Sequence, residues 1–214
     1  MEKTIILDLD ETLVHTFEFP SYYDVASKNP VLAENLYSFT LDGEVCTGMF
    51  RPLAREFVYS LCENFNVGVW SAGVSDYVEK IVSLLFGKLK PSFVYSRLFC
   101  DEMTYIEHGK PITIKKKPLT KIYLQHPPLN RKNCIIIDDR EDVSSENSEC
   151  AIIVPNFTLP SLEDSSGKSK KLADKRLLTE LEKLTQDDTL LRLGYYLIDN
   201  KDVSDFRKIT SPKL

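Results

Sequence analysis

The chain has 214 residues with a formal net charge of −5, and 43% of them are apolar, 10% aromatic and 28% charged. At this length folding buries about 70% of the unfolded surface, so a core forms without disulfides and a disordered chain is excluded. The acidic balance argues against general nucleic-acid binding, no apolar run reaches the roughly 18 residues of a membrane span, and the opening MEKTIILDLD predicts no cleavable leader.

Five cysteines (46, 62, 100, 134, 150), none in a CxxC pair, read as reduced core thiols of a cytoplasmic or nuclear protein. In chain order, Thr4-Ile5-Ile6-Leu7 predicts a buried strand ending at Asp8. Residues 16–36 are aromatic and irregular and read as a loop. Residues 37–49 predict a β-hairpin turning at Asp42-Gly43, a favoured two-residue turn. Pro52, Leu53, Phe57, Val58, Leu61 and Phe65 have helical spacing. Residues 67–70 predict a strand, and Ser75 a helix N-cap before Tyr77, Val78, Ile81, Leu84 and Leu85.

Residues 93–95 predict a short strand, and Pro118 opens a helix that stops at Pro127-Pro128. Residues 102–133 otherwise read as a basic solvated loop, with seven Lys or Arg against two acids. Residues 134–137 and 151–154 predict two more buried strands. Residues 163–176 read as a mobile polar loop. A helix carrying Leu177, Leu178, Leu181 and Leu184 follows, then a short one at Leu190, Leu191 and Leu193. Continuous apolar strands alternating with helices predict an α/β fold: one Rossmann-like three-layer domain with a mainly parallel sheet.

In such sheets ligands bind beyond the carboxyl ends of the strands. Three of those ends are polar: Asp8-Leu9-Asp10-Glu11-Thr12, Ser71-Ala72-Gly73 and Asp138-Asp139. Two carboxylates at a strand end can divide the work, one attacking phosphorus and the other moving a proton. Converging carboxylates call for a counter-cation, and an all-oxygen site suits Mg²⁺. Ser71 precedes a helix N-terminus, which attracts phosphate oxygens. A lysine to neutralise the transferring group is available among Lys115, Lys116 and Lys117.

ILDLDETLVH (6–15) resembles the first motif of the haloacid dehalogenase superfamily, and most of all its branch of small C-terminal-domain phosphatases of the NLI-interacting-factor type. VGVWSAG (67–73), Lys117 in KKPLTKI and CIIIDDRED (134–142) resemble its second, third and fourth motifs. Residues 37–52 resemble the branch's hairpin insert with its Arg-Pro, and Arg97-Leu98-Phe99 a further short motif.

The resemblance implies a phosphatase domain over 1–200 with a small insert at about 16–50 and no large cap, then a C-terminal tail at 201–214. It implies Asp8 as nucleophile and Asp10 as general acid and base, with phosphate held by Ser71, Ala72 and Lys117. Asp8, the Asp10 carbonyl and Asp138 would hold Mg²⁺, while Thr12, Arg97 and Asp139 would support the site. Ser71 stands where the branch commonly has Thr, and Asp139 where it usually has Asn.

Only 16–50 is left over as decoration, so an open site is expected, suited to a phosphorylated protein or peptide. The implied reaction is Mg²⁺-dependent hydrolysis of phosphoserine or phosphothreonine through an aspartyl-phosphate. The alternatives are a small-molecule or nucleic-acid-end phosphatase and a non-catalytic interaction module. His15 reads as a loop brace, His108 and His126 as surface, and Trp70 and Phe65 as core. Tyr22, Tyr23 and Phe39 read as packing of the insert, or as a groove wall.

Overall fold

The computed structural model describes residues 2–159 and 170–214, the side chains of 170–173 apart. Strand β1 (Thr4–Leu7) is buried along its whole length, as its unbroken apolar run requires. After a tight loop come β2 (Val14–Thr16), α1 (Pro20–Ala26) and α2 (Pro30–Ala33). The expectation of a loop over 16–36 is therefore corrected. Each short helix has proline in its first turn, where the missing N–H costs nothing.

Strands β3 (Leu36–Leu41) and β4 (Glu44–Phe50) form the expected hairpin, and β2 pairs with the far side of β4. Asp42 and Gly43 both have positive φ (49° and 85°), the geometry of a primed turn. Helix α3 (Ala54–Asn64), β5 (Asn66–Trp70), α4 (Ser75–Phe86) and β6 (Val94–Tyr95) follow. Ser75 is not a capping residue: Val74 holds the N-cap position, and the Ser75 hydroxyl bonds Ser96 at 2.9 Å.

A second hairpin then appears where a basic loop was expected, β7 (Asp101–Glu107) with β8 (Lys110–Lys116). Its turn, His108 and Gly109, also has two positive φ angles (49° and 77°). Decoration is thus not confined to 16–50. Helix α5 (Leu119–Gln125), β9 (Cys134–Asp138), α6 (Glu141–Glu146) and β10 (Ala151–Ile153) complete the core. Helix α7 (Lys170–Leu184) and α8 (Thr189–Asp199) close the chain. Residues 170–176, read as loop, belong to α7, and residues 163–169 of that reading lie outside the described residues.

The central sheet runs β10-β9-β1-β5-β6, with every neighbouring pair parallel. One face carries Ile5, Leu7, Val67, Val69, Ile135 and Ile137, packed under α3, α4 and α8. The other carries Ile6, Trp70, Cys134 and Ile136 under α5 and Val143 of α6. The result is an α/β domain of three layers. Residues 201–214 dock on it through Phe206 and Ile209, both buried. None of the described helices is long and apolar enough to cross a membrane.

Register brings the polar strand ends together. Leu7 lies opposite both Val69 of β5 and Ile137 of β9, so Asp8, Trp70 and Asp138 stand level. The Asp8 amide donates to the Ile137 carbonyl at 3.0 Å, extending the ladder to the site itself.

Candidate active site

Asp8 is buried at the end of β1, Ser71 just beyond β5, and Asp138 at the end of β9. Lys117, next after β8, is also buried, and its ammonium donates to Asp8 Oδ1 and, at 2.8 Å, to Asp138 Oδ2. Lys117 is held by its backbone as well. Its amide donates to Glu146 at 3.1 Å, and its carbonyl accepts from Asn147 at 2.9 Å. The neighbours point elsewhere: Lys115 pairs with Glu102, and Lys116 lies 3.9 Å from Glu146.

Thr12 Oγ1 lies 3.2 Å from Asp8 Oδ2 and 3.3 Å from Asp139 Oδ1, between the two strand ends. Carboxylate oxygens of Asp8, Asp138 and Asp139 all lie within 4.8 Å of one another. Burial raises the Asp8 carboxyl well above its usual range; Lys117 opposes the shift, and the charges of Asp138 and Asp10 add to it. Burial and the Asp138 charge push Asp139 up to about 6. Burial works against the Lys117 charge, but Asp8 and Asp138 outweigh it and hold the ammonium protonated.

Three carboxylates around one ammonium leave surplus negative charge in a dry place. That donor set, all oxygen and crowded, fits a small hard divalent cation such as Mg²⁺. Asp139 belongs to the carboxylate cluster, whereas the carboxylate of Asp10 does not. Asp10 is drawn aside by two donors, Ser71 Oγ on Oδ2 at 3.1 Å and Tyr77 on Oδ1 at 2.5 Å. Its carboxylate is therefore set apart from the ion pair of Asp8, with a different environment.

Ser71 also accepts from the Gly73 amide at 2.9 Å, which fixes the turn into α4. Arg97 lies at the rim, exposed, with its Nε donating to the Ala72 carbonyl at 3.3 Å and its amide to Gly73. It shapes the loop behind Ala72, and its guanidinium bonds that backbone rather than the carboxylate cluster.

Some site residues are not visible in the sequence pattern. Helical spacing places Tyr77 on the apolar face of α4, yet its hydroxyl meets Asp10. Thr16 and Tyr37 stand behind it, with hydroxyl separations of 2.7 and 2.6 Å. Arg51, fully buried, bonds Asp187 twice (2.9 and 2.8 Å) and donates to the Thr12 carbonyl, anchoring the first loop to the start of α8. The Arg140 amide donates to Asp138 Oδ1 at 3.0 Å. The only signal for Tyr77 is a tyrosine one helical turn beyond Gly73; a hydroxyl on a core-facing position needs a partner.

The remaining aromatics pack. Tyr22 and Tyr23 lie against the cluster of Phe17, Leu32, Met49, Leu177 and Leu181, and Phe39 packs on Tyr77. His15 pairs with Glu11 at 2.9 Å, and His126 stacks on Phe93 and bonds the Tyr95 hydroxyl.

The chain is similar to several known proteins. A CTD phosphatase-like protein, 355R, of Invertebrate iridescent virus 6 is 25% identical over 178 residues, covering 80% of this chain and 96% of that one. An RNA polymerase II C-terminal domain phosphatase of Caenorhabditis elegans is 26% identical over 141 residues, 65% of this chain but 19% of that protein. The solved structure of Fcp1, an essential RNA polymerase II CTD phosphatase, superposes with a TM-score of 0.65 at 21% identity, covering 94% of this chain and 62% of the other. A fission yeast Fcp1 variant bound to beryllium fluoride gives 0.62 at 19% identity, with the same coverage. The chain thus spans under two thirds of those solved chains, and they share its fold. The family model for NLI interacting factor-like phosphatases matches residues 3–207, and the chain belongs to that family.

Proposed function

We propose that this protein is a Mg²⁺-dependent phosphatase that removes phosphate from serine or threonine of a protein through an aspartyl-phosphate on Asp8. One observation carries the reading. Asp8 is buried against the Lys117 ammonium, while Asp10, two residues on, is held apart by Ser71 and Tyr77. Two carboxylates in two environments suit a nucleophile and a proton carrier.

Asp8 attacks phosphorus, forming an O–P bond as the bond to the serine oxygen breaks. Asp10 gives its proton to the leaving alkoxide. Water then attacks the phosphoryl group, Asp10 takes the water's proton, and inorganic phosphate departs with Asp8 restored. Ser71 donates to a phosphoryl oxygen, and we assign the adjacent Ala72 amide to the same group. Lys117 balances charge between phosphate and Asp8. Asp8, Asp138, Asp139 and the Asp10 carbonyl would hold Mg²⁺, which supplies charge neutralisation to the phosphoryl oxygens.

The described residues put no domain-sized cap over the strand ends, which supports a protruding phosphorylated side chain as substrate. We read 1–200 as one catalytic domain, with 201–214 as a tail docked on it. Relatives named for the RNA polymerase II C-terminal domain make an extended phosphopeptide, in the nucleus or cytoplasm, our first substrate class.

The test is turnover of a phosphopeptide panel and of an aryl phosphate, with and without Mg²⁺. The proposal expects Mg²⁺-dependent release of phosphate from peptides. Release that persists in excess chelator, or no release from any peptide while small phosphates turn over, would overturn it.

A further inference from the structure

Asp10 has two oxygens, and the hydrogen bonds around them are not equivalent. Oδ1 accepts from Tyr77, and the Tyr77 oxygen lies 2.7 Å from Thr16 Oγ1, which lies 2.6 Å from the Tyr37 hydroxyl. Each hydroxyl has a single proton to give. Tyr77 gives its own to Asp10 Oδ1. Thr16 must then donate to Tyr77, and Tyr37 to Thr16. The chain has one direction, from Tyr37 to Asp10, and each link polarises the next.

Oδ2 differs. Its donor is Ser71, the side chain assigned above to the phosphoryl group. A serine hydroxyl rotates freely and can turn to a phosphate oxygen when one arrives, which frees Oδ2. Gly73 lets the backbone pass close to both donors. A Cβ on Gly73 would lie 2.9 Å from the Tyr77 ring and 3.1 Å from Ser71 Oγ.

We propose that Tyr77, braced by Thr16 and Tyr37, is a positioning residue that fixes Oδ1 of Asp10 as a permanent acceptor and so assigns Oδ2 as the oxygen that exchanges the proton. The inference rests on the reading of Asp8 and Asp10 given above. Oδ2 protonates the leaving alkoxide in the first step and takes the proton of the hydrolytic water in the second. It also gives the insert a chemical part, since Thr16 lies on β2 and Tyr37 on β3.

The experiment is Tyr77→Phe, which keeps the ring, with Thr16→Val as the second variant and Asp8→Asn as the control. Each is assayed on a phosphoserine peptide and an aryl phosphate, with a melting curve. An aryl leaving group hardly needs a proton. Tyr77→Phe is therefore expected to lower kcat on the peptide about 10- to 100-fold with KM within about twofold, and the aryl rate less than about threefold. Thr16→Val should show the same selectivity more weakly. Equal losses on both substrates, or an unchanged peptide rate, would overturn the positioning role. If Tyr77→Phe does not fold, a selective loss in Thr16→Val supports the role and a parallel loss overturns it. Asp8→Asn separates the two levels: an active Asp8→Asn enzyme overturns the underlying mechanism, whereas a dead one with a non-selective Tyr77→Phe overturns the positioning role alone.

Discussion

The two hairpins use the same turn geometry and meet different fates. Both β3–β4 and β7–β8 close on a two-residue turn with positive φ at both positions. The first is walled in: Tyr37, Met49 and Phe50 are buried, and a third strand, β2, covers its edge. The second projects. Every residue of β7 is exposed, including Met103, Tyr105 and Ile106. The sequence difference is on the strands rather than in the turns. Strand β4 ends on Gly48-Met49-Phe50, small and apolar enough to lie on the core, whereas β7 has acids at both ends (Asp101, Glu102 and Glu107) around Met103, Thr104, Tyr105 and Ile106, all of them exposed. The packed hairpin reaches Asp10, the proposed general acid, through hydroxyls, while the projecting one reaches the site at its foot, where Lys117 follows β8.

The comparison has meaning only if the floor of the site is catalytic. Asp8→Asn should remove more than about 99% of turnover, since an amide cannot attack phosphorus and the uncatalysed reaction is among the slowest known; retention above about a hundredth would break the account. Lys117→Ala tests the foot of the projecting hairpin. It leaves Asp8 and Asp138 buried without their ammonium, which should cost about 3–5 kcal/mol in chelator and be partly restored by Mg²⁺. Unchanged stability in chelator would show that the ion pair is not what holds this corner.

Gly48→Ala and Gly109→Ala set the hairpins against each other. A Cβ on Gly48 would collide with the Tyr37 ring and the His15 carbonyl. We expect a loss of about 1–3 kcal/mol with reduced peptide turnover. Gly109 sits at φ +77° in open space, so alanine there meets only backbone strain, about 1 kcal/mol, and leaves turnover alone. Denaturation curves showing the reverse order would dissolve the contrast.

The last effect concerns pH. Asp139 ionises near 6 in the fold, against an ordinary value of 3.8. An acid with a raised folded pKa binds its proton more tightly folded than unfolded. Its contribution is therefore full below about pH 4 and is lost as pH rises through about 6. In chelator, the melting temperature of Asp139→Asn should gain on wild type between those values and then hold level. A difference that does not change with pH would remove the burial argument.

Much of this is legible in the sequence. Asp8, Ser71 and Asp138 follow unbroken apolar strands, and parallel register does the rest, so strand ends suffice to find them. Lys117 stands out because a lysine tripled in sequence needs only one member turned inward, and the KPLTKI pattern marks which. The losses have physical causes. Pro20 and Pro30 open helices so short that no apolar periodicity accompanies them. The β7–β8 hairpin turns on His-Gly, a weaker signal than Asp-Gly, and its strands bury no face to make the alternation plain. Tyr77 sits among Val78 and Ile81, so the pattern shows its ring and hides its hydroxyl. A relay of hydroxyls linking three separate segments leaves no pattern in sequence, because each link is tertiary.

The most direct test of the central claim is to trap the intermediate. Wild-type enzyme with Mg²⁺ and a phosphopeptide, quenched in acid during turnover, should carry phosphate in an acyl linkage that hydroxylamine cleaves and that peptide mapping assigns to Asp8. The Asp8→Asn protein should carry none. Turnover with no phosphoryl-enzyme at any quench time, or phosphate mapped to another residue, would contradict it.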